Sequence, residues 1–363
     1  MSYIISGIQQ VGVGCKDIYE TWAWYRHFLG ADTPVFDEKA TAGLMLPYTG
    51  GQPRERHAVL ALNMQGGGGF EIWQHTQHTP QYPPFPITLG DTGVFATKIK
   101  CHNAEKTFAS FKRRGANVLS AEVEMSPNGT EKHFWVKDPY DNLYQIVEVR
   151  DGWFQKNNNL TGGVYGVVIG TTDLVRTAAL FRDVLGYDQV VYDIKVDSFV
   201  DFKPLTGGHY PCSRILLRHS QRRVGGFAPL LGPSEIELVQ VFDRVPNKIF
   251  ENRFWGECGF IQLCFDVNGM DGLKERLATV QRTPDGEGYK FTVDSAESFQ
   301  MEGAAGRFAY IETVDGTLIE FVETHKIPIL KSIGWYLDLR KRRPEKSLPR
   351  WMLRALGLNR VRD

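Results

Sequence analysis

Residues 10–32 read QVGVGCKDIYETWAWYRHFLGAD, and residues 166–188 read GVVIGTTDLVRTAALFRDVLGYD. Laid over each other at a constant offset, Gly14 meets Gly170, Asp17 meets Asp173, Arg26 meets Arg182, and Leu29-Gly30 meets Leu185-Gly186. Both read in one order: a β-strand, a turn led by an aspartate that caps the following amphipathic helix, and a glycine that stops it. The chain is therefore built from copies of one unit.

Two more openings of this kind, GVFATKIKCHNAEKTFASFKRRG from Gly93 and GFIQLCFDVNGMDGLKERL from Gly259, bring the count to four units of strand, helix and about three strands. A polar residue recurs inside a late strand of each unit: Glu71 in GFEIWQ, Gln145 in NLYQIVE, Glu237 in SEIELVQ and Glu320 in TLIEFVE. Alternation puts Glu320 on the face of Leu318 and Val322, so the acid points inward. A buried carboxylate requires a cation, a metal or a hydrogen-bonding partner. The polar run DGWFQKNNNL, residues 151–160, reads as a linker. The expectation is an α+β chain with two similar domains, residues 1–150 and 160–325, in which helices cover one face of curved, mostly antiparallel sheets.

The chain has 363 residues, 42% of them hydrophobic, which is enough for two cores, and its formal net charge is +0. That balance gives no general attraction to nucleic acid. Five cysteines without a CxxC pair, and an N-terminus without the order of a signal peptide, point to a reducing cytoplasm.

On the marks GVGCKD with WYRHFLG, KDPYDNLYQIVE, FRDVLG and GTLIEFVE, the chain resembles the vicinal oxygen chelate superfamily, the glyoxalase, bleomycin-resistance and extradiol-dioxygenase group. The resemblance covers about residues 4–325 and implies four βαβββ modules paired into two cupped, glyoxalase-like domains. In metal-dependent relatives the ion is held by one residue from the first strand and one from the last strand of each paired module. Carried over with consecutive modules paired, the first domain offers Gln10, Glu71, Val94 and Gln145, a set with one charge and a valine that coordinates nothing. The second offers Gly166, Glu237, Gln262 and Glu320. The expected metal ligands are therefore Glu237, Gln262 and Glu320, with Gly166 leaving an open position and Glu237 or Glu320 moving a proton.

An oxygen-only donor set suits Mg, Mn or Ca, with Zn or Fe left open, and no organic cofactor is implied. The resemblance argues against an extradiol dioxygenase, whose two first-strand histidine positions read Gly166 and Gln262 here. It implies a divalent-metal-dependent lyase or isomerase acting on a small carbonyl-containing substrate in the second domain. The alternative is a non-catalytic small-molecule binder of the bleomycin-resistance kind. Whether modules pair within or between chains, and hence whether the protein is a homodimer, is left open.

Other residues read as structural. His75 and His78 lead into a Thr- and Pro-rich loop, where solvent exposure is expected rather than metal binding. Gly66 to Gly69 read as a hairpin turn, His209 and Tyr210 as a surface turn, and Cys258 and Cys264 as packing residues. The tail, residues 326–363, carries eleven Lys and Arg against three Asp and Glu, a net of +8. Ile329, Ile333, Tyr336 and Leu337, and then Met352, Leu353 and Leu356, recur at helical spacing on either side of a basic cluster at Arg340 to Arg343. Two basic amphipathic helices are expected, packed on the body in preference to lying on an anionic membrane, because Pro344 and Pro349 leave only short segments.

Overall fold

The local grammar of each module is realised as read. In the computed structural model, which describes residues 2–296, 299–301, 304–330 and 335–361, the first strand spans Ile4–Gly14. Asp17 then accepts hydrogen bonds from the backbone N–H groups of Tyr19 and Glu20 and caps the helix Ile18–Trp24. A widened turn, Tyr25–Leu29, ends at Gly30 with φ 64°, a left-handed conformation open to glycine without strain. Asp173 caps Leu174–Ala179 in the same way. Asn103 does so for Ala104–Arg113.

The modules pair in an order that the local pattern does not contain. One sheet joins the strands of the first module to those of the fourth, and the other joins the second module to the third. In the first sheet Ile4–Gly14 runs antiparallel to Gly259–Asn268. It runs parallel to Gly69–His75 on its other side. In the second sheet Thr161–Gly170 lies between Gly93–Cys101 and Glu235–Val241. Two cups of consecutive modules, residues 1–150 and 160–325, are therefore not what forms. The run 151–160 joins two modules of one sheet, and the crossings between sheets are residues 76–92 and 242–258. These crossings bind each other where Thr92 N–H donates to the Asn247 carbonyl and Ile249 N–H donates to that of Thr92.

Both sheets are buried on both faces. The helix-side faces share one core that includes Val11, Tyr25, Phe111, Phe181, Phe265 and Phe321. On the opposite faces, Trp73, Trp255, Ile261, Tyr310 and Leu318 line the first cup. Phe95, Trp135, Phe199, Phe202 and Val239 fill the second. This double burial explains TLIEFVE: Ile319 and Phe321 enter the helix-side core, while Leu318 and Glu320 face the cup.

The tail departs from expectation in its first half. Trp335–Asp338 is a strand paired with the extended final strand Leu318–Leu330, so the first of the two expected helices is absent. Ile333 lies outside the described residues. The second helix forms as Arg350–Ala355. Leu348 and Leu353 are buried in a cluster with Leu62, Met64, Phe154 and Leu230, so the tail packs on the body. Arg360 Nε donates to Asp32 at 2.8 Å. Among the described residues, no helix is long and apolar enough to cross a membrane.

Asp266, on the strand Gly259–Asn268, shares a cleft with Ser6, Arg342 and Arg343, and burial pushes its carboxyl up to about 7. An acid with a folded-state pKa above its unfolded value favours the fold when protonated. Its penalty is absent below about 3.8 and grows until the pH passes 7. At about 1.4 kcal/mol per unit, this amounts to a few kcal/mol. Asp266→Asn is expected to raise the thermal midpoint at pH 8 and leave it nearly unchanged at pH 4, as read by calorimetry.

Candidate functional site

The swapped pairing converts two poor ligand sets into one good and one closed. In the first cup Gln10 and Glu71 come from the first module and Gln262 and Glu320 from the fourth, so each module contributes an amide and an acid. All four are buried. Gln10 Nε2 donates to Glu71 Oε2 at 2.9 Å. Gln262 Nε2 lies 3.5 Å from Glu71 Oε2 and 3.4 Å from Glu320 Oε2, so one amide spans both carboxylates. Its oxygen accepts from the Trp255 indole N–H at 3.1 Å.

No salt bridge to Glu71 or Glu320 occurs among the described residues. Burial raises the Glu71 carboxyl above its ordinary range, against Trp73, the charge of Arg56, which pairs with Glu38, and the hydrogen bond from Gln10. Burial first, and then the negative charge of Glu71, push Glu320 up, against hydrogen bonding from Cys264, Tyr310 and Gln262. Two acids in this position share a proton or a cation. Cys264 is a neutral, packed thiol, since burial and the adjacent Glu320 raise its pKa far above the ordinary value.

The residues fit a divalent ion. Gln10 Oε1 is a buried acceptor without a hydrogen-bond partner, and with the two carboxylates it makes an oxygen-only donor set carrying two negative charges. Gln262 presents its amide nitrogen to the two carboxylates. A fourth oxygen would come from turning that amide at the expense of the Trp255 bond. Gly12, directly opposite Gln262, makes room for it, since a β-carbon on Gly12 would lie 2.5 Å from the Gln262 amide carbon. Gly12→Ala is therefore expected to displace the flexible end of Gln262, weakening metal binding by titration calorimetry while leaving the circular dichroism spectrum unchanged.

The second cup is closed by charge. Glu237, expected to share a metal with Gln262 and Glu320, lies in the other sheet, accepting from Arg214 Nε at 2.7 Å and from the Tyr192 hydroxyl at 2.8 Å. Lys98 Nζ pairs with Glu237 at 2.7 Å and with Glu235 at 2.6 Å. Despite the cost of burial, Arg214 and Lys98 hold Glu237 well below the usual carboxylate range. Arg214 also binds Asp201 at 2.8 Å and lies 3.6 Å from the centroid of the Phe202 ring. His133 Nε2 and Gln145 Oε1 are buried here without a hydrogen-bond partner, but Lys98 and Arg214 already balance the charge of Glu237. Glu237 lies in a different sheet from Gln262 and Glu320, so the three do not converge on one ion as expected.

Val94 lies in the helix-side core. Gln145 is buried in the second sheet opposite Lys98. Gly166 leaves no open position, because a β-carbon there would lie 2.2 Å from the Glu235 carbonyl oxygen. Glu320 and Gln262 do converge as expected. The signal that could have found their partners is the Gln–Glu pair itself, which occurs at these positions only in the first and fourth modules.

The expected exposure of the HTQH histidines fails for His75, which is 2% exposed, whereas His78 is half-buried. His209 and Tyr210 pack against each other in a turn with their rings tilted by 32° and ring centroids 4.3 Å apart.

The architecture around this cup is that of known proteins. Glyoxalase I from Zea mays superposes with a TM-score of 0.56 at 12% sequence identity, covering 89% of this chain and 92% of that one. A Bacillus subtilis protein whose name proposes a dioxygenase superposes with a TM-score of 0.53 at 13% identity, covering 89% and 86% of the two chains. No protein-family model matches the sequence, and no curated protein does. The fold is that of the vicinal oxygen chelate proteins, in the α+β form expected from the repeats.

Proposed function

We propose that the first cup is a divalent-metal site and that the protein is a lyase or isomerase acting on a small carbonyl-containing substrate there. One contrast carries the reading. The acids of the second cup are neutralised by Lys98, Arg214 and Arg218, whereas Glu71 and Glu320 converge with no cationic side chain paired to either among the described residues. Burying two such acids is costly, which supports a function that retains them.

Glu71, Glu320 and Gln10, with Gln262 once its amide is turned, would hold the ion. A bound divalent ion would polarise a substrate carbonyl or enolate oxygen. The chain's own part is proton transfer. Glu320 and Glu71 are bridged by the Gln262 amide, so one carboxylate could accept a substrate proton while the other stays ionised on the ion. Trp73 and Trp255, with ring centroids 4.0 Å apart, form an apolar wall that excludes water. Tyr310, directly opposite Glu320 on the neighbouring strand, is kept as a neutral phenol by burial and is a proton donor on that side.

The test joins two measurements on the full chain: metal content after purification without chelator, and deuterium exchange beside the carbonyl across a panel of small hydroxycarbonyl compounds, with and without added Mg, Mn or Zn. Metal-dependent exchange, lost in Glu320→Gln, is the expected result. Exchange that is absent with every metal and compound, or unaffected by the substitution, defeats the reading. The aromatic lining supports a second reading, a binder that sequesters an apolar ligand without chemistry. That reading is favoured if tryptophan fluorescence reports ligand binding where no exchange occurs.

A further inference from the structure

We propose that His75, His78 and Glu257 form a second metal site, for a zinc-class ion, that staples together the two segments crossing between the sheets. His75 ends the strand Gly69–His75, and His78 follows in the crossing 76–92. Glu257 lies in the other crossing, 242–258. A ring nitrogen of each histidine and a Glu257 oxygen all lie within 4.8 Å of one another.

The hydrogen bonds show which atoms are available. His75 Nε2 is 2.9 Å from the Trp255 carbonyl oxygen, which can only accept, so Nε2 carries the proton. The lone pair is then on Nδ1. That atom is buried and has no hydrogen-bond partner, and an unsatisfied buried acceptor is costly. His78 Nε2 lies 2.8 Å from Glu257 Oε1, so these two ligand atoms already face each other, and an ion between them would take the place of the proton they share. Glu257 Oε2 accepts from the Gln81 N–H, which fixes the carboxylate.

Two imidazoles and one carboxylate are a zinc-type ligand set that leaves a fourth position for water. Tetrahedral ligands about 2.0 Å from zinc stand roughly 3.3 Å apart, so a modest adjustment is needed: His78 Nε2 and Glu257 Oε1, 2.8 Å apart, separate slightly while the set, within 4.8 Å, draws to that spacing. His78 supplies it, since its side chain is 30% exposed on a loop while the other two are held in place. This donor chemistry also separates the two sites, because the oxygen-only set of the first cup suits harder ions.

The experiment strips the full chain with chelator and titrates it with Zn²⁺, and separately with Co²⁺, whose visible absorption is strong in tetrahedral sites and weak in octahedral ones. The variants are His78→Ala, Glu257→Gln and Glu320→Gln. The unmodified chain is expected to take up Co²⁺ with tetrahedral-type absorption. His78→Ala and Glu257→Gln should each lose that absorption and bind one fewer Zn²⁺, or bind it at least tenfold more weakly. Glu320→Gln should retain it, whether or not the first cup holds an ion. Using two variants guards against one that folds poorly, and urea midpoints of the metal-free forms identify such a case. Unchanged zinc stoichiometry, zinc affinity and Co²⁺ absorption in His78→Ala and Glu257→Gln would overturn the proposal, as would loss of the absorption in Glu320→Gln alone.

Discussion

Glu320→Gln is expected to abolish the rise in thermal midpoint that Mg, Mn or Zn gives through the first cup, and to leave the metal-free protein as stable as before or more so. The two parts have one cause. The substitution keeps the shape of the side chain and removes one of two negative charges that press on each other through the Gln262 amide. An ion bound at a hundred times its Kd stabilises by about 2.7 kcal/mol, and this increment is what the variant should lack. For the metal-free chain the sign follows from the raised carboxyls. Because the folded state holds protons more tightly than the unfolded one, stability falls as pH climbs above the ordinary carboxylate value of 4.5, and it keeps falling until the folded pair gives up its shared proton. In Glu320→Gln that slope should flatten. A variant that keeps the shift given by Mg or Mn, or that unfolds outright without metal, contradicts the assignment. Calorimetry of both proteins with and without metal from pH 5 to pH 9 decides it.

Glu237→Gln should do the opposite. It leaves Lys98 and Arg214 buried with one carboxylate fewer, and breaking a buried pair from one side typically costs about 3–5 kcal/mol. A urea transition shifted by that amount is expected, with metal content unchanged. The pH dependence also inverts. A carboxylate held below its usual range stabilises the fold above the unfolded value of 4.5, and that contribution is lost as pH falls through the depressed folded-state value. Acid unfolding of the unmodified chain therefore depends partly on this pair. Loss of an ion from Glu237→Gln with the fold intact would return Glu237 to a metal site.

The glutamates at 237 and 320 look alike in sequence, each an acid inside an apolar late strand. What separates them lies far off in the chain: Arg214 and Lys98 for one, Gln10 and Glu71 for the other. The same holds for the HTQH stretch, whose third partner, Glu257, is 179 residues from His78. Residue type alone made exposure the simpler expectation for these histidines. Only the meeting of the two crossings buries His75 and brings Glu257 within reach.

The sequence by itself determined the unit. Asp17 and Asp173 cap their helices, Gly30 and Gly186 end them in left-handed conformations, and inward polar residues mark the last strands, all within a few residues of the signal. Such features are local because capping and strand alternation act over one turn or one pleat. Tertiary structure decided which units share a sheet. The modules present similar strand edges and apolar faces, so the choice of Gly259–Asn268 in place of Gly93–Cys101 as neighbour to Ile4–Gly14 depends on how the crossings 76–92 and 242–258 reach between sheets. Nothing in the alternation of a single strand records its neighbour across a sheet. That pairing alone puts Gln10 and Glu71 beside Gln262 and Glu320 and leaves Glu237 to Lys98 and Arg214.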